Sequence, residues 1–161
     1  MVLKGINFDR SLVTPDELAA VIDKITGGRS CVLQGMTFTP SSASLSIGLT
    51  AGMLVIQGYA IQATPAGGLE SITISTAGIS NTTKYLCATI DLNQSNTSSG
   101  TVGTNTYKVD YKQVRFEFLD ESVVRAQHVD YNNVHDAFVL NPKRVVSLPL
   151  YKAVFTASGV M

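Results

Sequence analysis

The chain has no tryptophan, two cysteines and two histidines, and only 15% of its residues carry charge. Each scarcity narrows the range of functions. Cys31 and Cys87 are too few for a disulfide framework and stand at no metal-ligand spacing, so they read as reduced thiols buried on strands. Without tryptophan, a carbohydrate-binding surface lacks its best aromatic marker. The 12 basic and 12 acidic residues cancel, which leaves no bulk electrostatic basis for a DNA, RNA or anionic-membrane partner. No apolar run approaches the length of a membrane span. Residues 1–10 alternate charge and apolarity without the continuous apolar core of a secretory signal, so the protein is expected to be made and kept in a cytosol.

What replaces charge is hydroxyl. Serine and threonine together outnumber all charged residues, which predicts a largely neutral, polar surface suited to stable protein assemblies, where desolvating charge is costly. A chain of 161 residues is the size of one domain with its own core.

Chemistry-bearing motifs are also scarce. There is no phosphate-cradling glycine motif, nucleophile elbow, paired metal cysteines or zinc-protease helix, and neither a cofactor nor enzymatic activity is expected. The one cluster to weigh is His128-Val129-Asp130-Tyr131-Asn132-Asn133-Val134-His135-Asp136, which holds both histidines. His128, Asp130 and His135 are candidate metal ligands for a hydrolase if the segment folds back on itself. The plainer reading is an Asn/Asp-rich loop whose side chains cap turns, and the spacing matches no established metal motif.

Thr14-Pro15-Asp16-Glu17 is a helix start: a threonine cap, proline in the first turn, and a glutamate placed to close a capping box. Val13 and Leu18 fill the hydrophobic-staple positions. Leu18, Val21, Ile22 and Ile25 repeat at helical spacing, Asp23 and Lys24 are expected to point away, and Gly27-Gly28 ends the helix. The apolar stripe either packs on its own domain or serves as a subunit or partner contact. Residues 1–28 therefore form an N-terminal segment with an amphipathic helix, and residues 29–161 a β domain.

From Ser30 the period changes to two. Strands are predicted around Cys31-Val32-Leu33, Met36-Thr37-Phe38, Leu45 to Leu49, Met53 to Ile56, Tyr59 to Ile61, Leu69 to Ile74 and Lys84 to Leu92. Tyr107 to Leu119 changes phase near Lys112, which predicts a bulge or a bend. Asn93 to Thr106 is almost free of apolar side chains and is expected to form a mobile hairpin tip. Pro149 puts an edge or irregularity into the last strand, Val145 to Phe155. The fold class is mainly β: an antiparallel sandwich or barrel-like meander with one N-terminal α-helix. Tyr85, Tyr107, Tyr111, Tyr131 and Tyr151 are candidates for a sugar-stacking platform, although tyrosines on alternating strands more often fill a core.

The stretch Leu45-Ser46-Ile47-Gly48-Leu49-Thr50-Ala51-Gly52-Met53-Leu54-Val55-Ile56-Gln57-Gly58-Tyr59-Ala60-Ile61 resembles a strand-turn-strand pattern of baseplate and tail-fibre proteins from bacteriophages of Gram-positive bacteria. Lys84-Tyr85-Leu86-Cys87-Ala88-Thr89-Ile90-Asp91-Leu92 and Leu148-Pro149-Leu150-Tyr151-Lys152-Ala153-Val154 are similar to later strands of those proteins, in the same order. The resemblance runs from about Leu33 to Phe155. It implies a virion structural protein of the tail, assembled in several copies such as a trimer, that links other tail and baseplate proteins to host-adhesion proteins. Two alternatives stay open: a module binding host cell-wall saccharide, and a capsid decoration protein.

Overall fold

The computed structural model describes residues 15–25, 27, 30–39, 46–65, 69, 71–127, 144–156 and 159–160. The helical spacing near the N-terminus corresponds to α1 (Pro15–Ile25), and Gly27 follows it with φ 68°, the left-handed conformation in which helices commonly end. Thr14, Val13 and Gly28, expected to cap, staple and stop this helix, lie outside the described residues.

The strands then follow: β1 (Cys31–Gly35), β2 (Phe38–Thr39), β3 (Ser46–Thr50), β4 (Gly52–Ile56), β5 (Tyr59–Ala63), β6 (Ser71–Ser75), β7 (Thr82–Asp91), β8 (Thr97–Ser99), β9 (Lys108–Asp110) and β10 (Val114–Leu119). A second helix, α2 (Glu121–Gln127), precedes β11 (Val145–Thr156) and β12 (Gly159–Val160).

The chain is mainly β, and every strand pairing is antiparallel. The strands are divided among four small sheets with orders β1-β4-β5, β2-β3-β6, β10-β7-β11-β12 and β8-β9, rather than strung into one meander. The Gln57-Gly58 turn joining β4 to β5 has φ of 48° and 78° at its two central residues, the mirror-image turn that suits the twist of a tight hairpin.

Sheet β10-β7-β11 shows how alternation builds the core. Leu86, Ala88 and Ile90 of β7 point to one face, beside their register partners Phe118, Phe116 and Val114 of β10 and Leu148 and Val146 of β11. These join Ile47, Leu49, Leu54, Ile56 and Ile74 from the smaller sheets in a single apolar cluster. Each fully buried Leu, Ile or Val contributes roughly 1.5–3 kcal/mol. Two polar and aromatic ties close the layers. The Tyr151 hydroxyl donates to the carbonyl of Met36 at 2.6 Å, and the Tyr151 ring packs on Phe38 with centroids 5.1 Å apart.

Pro149 stands at the irregularity it predicted. The pairing of β11 with β7 shifts register between Pro149 and Tyr151, and β12 covers the far side of β11 only at Phe155 and Thr156. The expectation of a single helix is corrected by α2. Its first turn carries Glu121, whose carboxylate accepts from Arg125 Nε at 3.0 Å one turn later.

Candidate interaction surfaces

Helix α1 rests on the β4–β5 hairpin through its small residues. Ala19 is 2% exposed, and a Cβ at Gly58 would collide with the Ala19 carbonyl oxygen and crowd the Asp23 backbone nitrogen. So close an approach admits alanine beneath the helix but no leucine or isoleucine. The expected orientation is therefore corrected. Asp23, expected to point away, is fully buried, whereas Leu18 is 49% exposed, Val21 36% and Ile25 79%. Ile22 is half-buried. Of the four predicted contact residues, three form an apolar stripe facing solvent and the fourth flanks it.

The second surface is the arm between β7 and β10. The sequence predicted a mobile hairpin tip here, and β8 and β9 form the hairpin, paired in register with Thr97 opposite Asp110, Ser98 opposite Val109 and Ser99 opposite Lys108. Local polar bonds do what apolar burial does elsewhere. At the tip, Thr104 Oγ1 donates to the Thr101 carbonyl at 2.7 Å, and Gly100 (φ 82°) lies where any Cβ would strike the Thr106 carbonyl oxygen. At the base, Asn96 Nδ2 donates to Gln113 Oε1 at 3.1 Å while Asn96 Oδ1 accepts from the Gln113 amide at 3.2 Å. Gln113 Nε2 also donates to the Gln94 carbonyl at 3.0 Å. Lys112 and Gln113 form the predicted bend. Every residue from 93 to 108 is exposed. Within β9, Val109 points to one side of the ribbon across from the small Ser98, and the exposed Tyr107 and Tyr111 flank the strand. Lys108 and Asp110 take the other side.

The outer face of β7 is polar and covered. Cys87, Thr89 and Asp91 alternate there, and α2 packs against β7 and β11 with Val124 buried. Ser147 Oγ donates to Gln127 Oε1 at 2.7 Å, so the Thr89 hydroxyl, 2.9 Å from Ser147 Oγ, supplies the proton of that pair. Asp91 and Glu117 flank Arg115 at 3.3 and 3.1 Å. Burial pushes the Asp91 carboxyl up, but the Asn93 amide and the Arg115 guanidinium outweigh it and hold the group below its ordinary value. Burial, with Glu117 adding to it, pushes the Cys87 thiol up to about 12, so Cys87 is a protonated packing group at neutral pH. Cys31, expected to be buried, is half-buried on β1.

A shallow cavity of about 200 Å³ lies on sheet β1-β4-β5, with Gln34, Met53, Gln62 and Thr64 in its walls and no ionisable side chain in its lining. Among the described candidate tyrosines, Tyr151 is tied into the core, Tyr85 is half-buried on β7, and Tyr107 and Tyr111 stand exposed on the arm. Tyr131 and the metal candidates His128, Asp130 and His135 lie outside the described residues.

No family model and no curated protein matches the chain. Among the described residues, no group of three or more His, Cys, Asp or Glu side chains is placed to hold a metal ion. No helix among them is long and apolar enough to cross a membrane. Among the described residues, exposed apolar side chains include Leu18, Val21 and Ile25 on α1, Val32, Leu33 and Met53 on β1 and β4, and Tyr107 and Tyr111 on the arm.

Proposed function

We propose that the protein is a non-enzymatic structural component of a bacteriophage virion, an oligomeric tail or baseplate adaptor that works through protein contacts. The observation that carries this reading is the apolar stripe of α1, Leu18, Val21 and Ile25, held outward by the approach of Ala19 and Asp23 to the hairpin. An amphipathic helix ordinarily turns its apolar face inward, and an exposed apolar stripe on a rigid element marks an interaction site. The neutral, hydroxyl-rich surface and the ordered resemblance of the β strands to phage tail proteins point the same way. Antibody raised against the purified chain and applied to phage particles from cells expressing the gene is expected to label the tail end. Labelling of the capsid would favour the decoration alternative, and unlabelled particles would contradict a virion role.

A second reading is a host-saccharide-binding module, favoured by the exposure of Tyr107 and Tyr111 on an arm otherwise built of hydroxyl and carboxamide side chains. Binding of the purified chain to immobilised cell-wall glycans, lost in Y111S, would support it.

A further inference from the structure

Sheet β1-β4-β5 lines up three side chains in one row across its strands. Gln34 of β1 pairs with Met53 of β4, and Met53 pairs in turn with Gln62 of β5, so the three stand side by side on one face. That face points away from the core, because Leu54 and Ile61, the strand neighbours of Met53 and Gln62, are the ones buried in it. Two residues along β4, Val55 shares the face of Met53 yet is 1% exposed, whereas Met53 is 37% exposed, so the face opens at the row. The row borders the cavity of about 200 Å³, which Ala51 and Thr64 also line.

The lining selects by what it offers. A carboxamide has both donors and an acceptor, and a sugar hydroxyl is both, so Gln34 and Gln62 can each meet hydroxyls in either sense. Met53 between them is an adaptable, polarisable apolar surface against which the C–H face of a sugar ring can lie. No lining side chain is ionisable, so nothing in the cavity favours a phosphate or a carboxylate. The volume falls below the roughly 300–1,000 Å³ of drug-sized pockets, which limits the occupant to a small ligand or to one unit of a longer one. An extended peptide takes a strand edge, and this row runs across three strands instead. We infer that the Gln34–Met53–Gln62 row binds a single neutral pyranose unit of a saccharide. The site shares no residue with the α1 stripe or the arm tyrosines, so it stands or falls independently of the assembly reading and of Tyr107 and Tyr111.

The test titrates the whole chain, isotope-labelled for NMR, with the methyl pyranosides of glucose, galactose, rhamnose and N-acetylglucosamine, and reads the side-chain amides of Gln34 and Gln62 and the methyl of Met53. At least one sugar is expected to shift all three signals with a Kd of about millimolar, as suits so small a ligand on a shallow site. Q34A/Q62A alters only exposed side chains, so it is expected to keep the wild-type circular dichroism spectrum and to weaken binding at least about tenfold. M53A is expected to weaken it in the same direction, and Y111S to bind as wild type does. Methyl glucuronide, the charged counterpart of the glucoside, is expected to bind no more tightly than the neutral sugars. The inference is overturned if none of the four sugars moves the three signals, or if Q34A/Q62A binds as wild type does while Y111S loses binding. Preference for the glucuronide would overturn it too, as would a blocked trialanine peptide that moves the three signals where the sugars do not.

Discussion

Gly58 sets how close α1 can come to the β domain, and through that which side of the helix faces water. Gly58→Ala adds a Cβ against the Ala19 carbonyl at a residue with φ 78°, so it meets both a clash and a strained conformation. A loss of about 2–4 kcal/mol is expected by chemical denaturation, the upper part of the range for strain combined with backbone displacement. The cysteines separate cleanly at the same scale. Iodoacetamide at pH 8 should modify half-buried Cys31 and leave Cys87 unmodified until the protein unfolds. Because Cys87 ionises near 9.0 when unfolded and about 12 when folded, its contribution is complete below pH 9 and declines as pH rises from 9 to 12. Cys87→Ala should remove that alkaline slope, read from denaturation midpoints at pH 8 and pH 11. A slope unchanged in the variant would assign alkaline loss to another group.

Element by element, the period of two was readable wherever one face of a strand is apolar and the other meets small or polar groups. Leu86, Ala88 and Ile90 announced β7, and Gly58 announced the β4–β5 turn. What could not be read was α2, only seven residues long, whose adjacent Val123 and Val124 carry no helical period. That omission also hid the polar partner of Ser147 and Thr89, since it is Gln127 of α2 that reaches that face. Ser147→Ala would leave the Thr89 hydroxyl and Gln127 Oε1 without their shared partner, and a loss of about 1–3 kcal/mol is expected on thermal or urea unfolding. At the rim of the same face, Asp91 is held below its ordinary value of 3.8. Its stabilising contribution is present above that value and is lost as pH falls through the lowered one, so Asp91→Asn should flatten the acid limb of a stability-versus-pH curve. The arm is legible as a hairpin tip, but its internal pairing is not. Its sequence shows no apolar anchor, and the bonds that organise it join side chains as far apart as Asn96 and Gln113. The helix stripe was legible as a pattern, but its outward direction was not, because that depends on a close approach between Gly58 and Ala19 distant in sequence.

At the scale of the molecule, the described residues share one apolar core while the α1 stripe stays exposed. Tyr151 bridges to Met36 and Phe38, Phe118 meets Phe155 edge to face, and one apolar cluster runs through three of the four sheets and touches α1 at Ala19. Among the described residues, Leu18, Val21 and Ile25 of α1 take no part in that core. Its exposure is therefore the feature that an assembly would use. The most direct check is the solution mass of the purified chain by light scattering, across a dilution series reaching low micromolar concentration. The account predicts a stable oligomer, a trimer or larger, that shifts toward 17.2 kDa when Leu18 and Ile25 are changed to serine. A mass that stays at the monomer value throughout the series would contradict it.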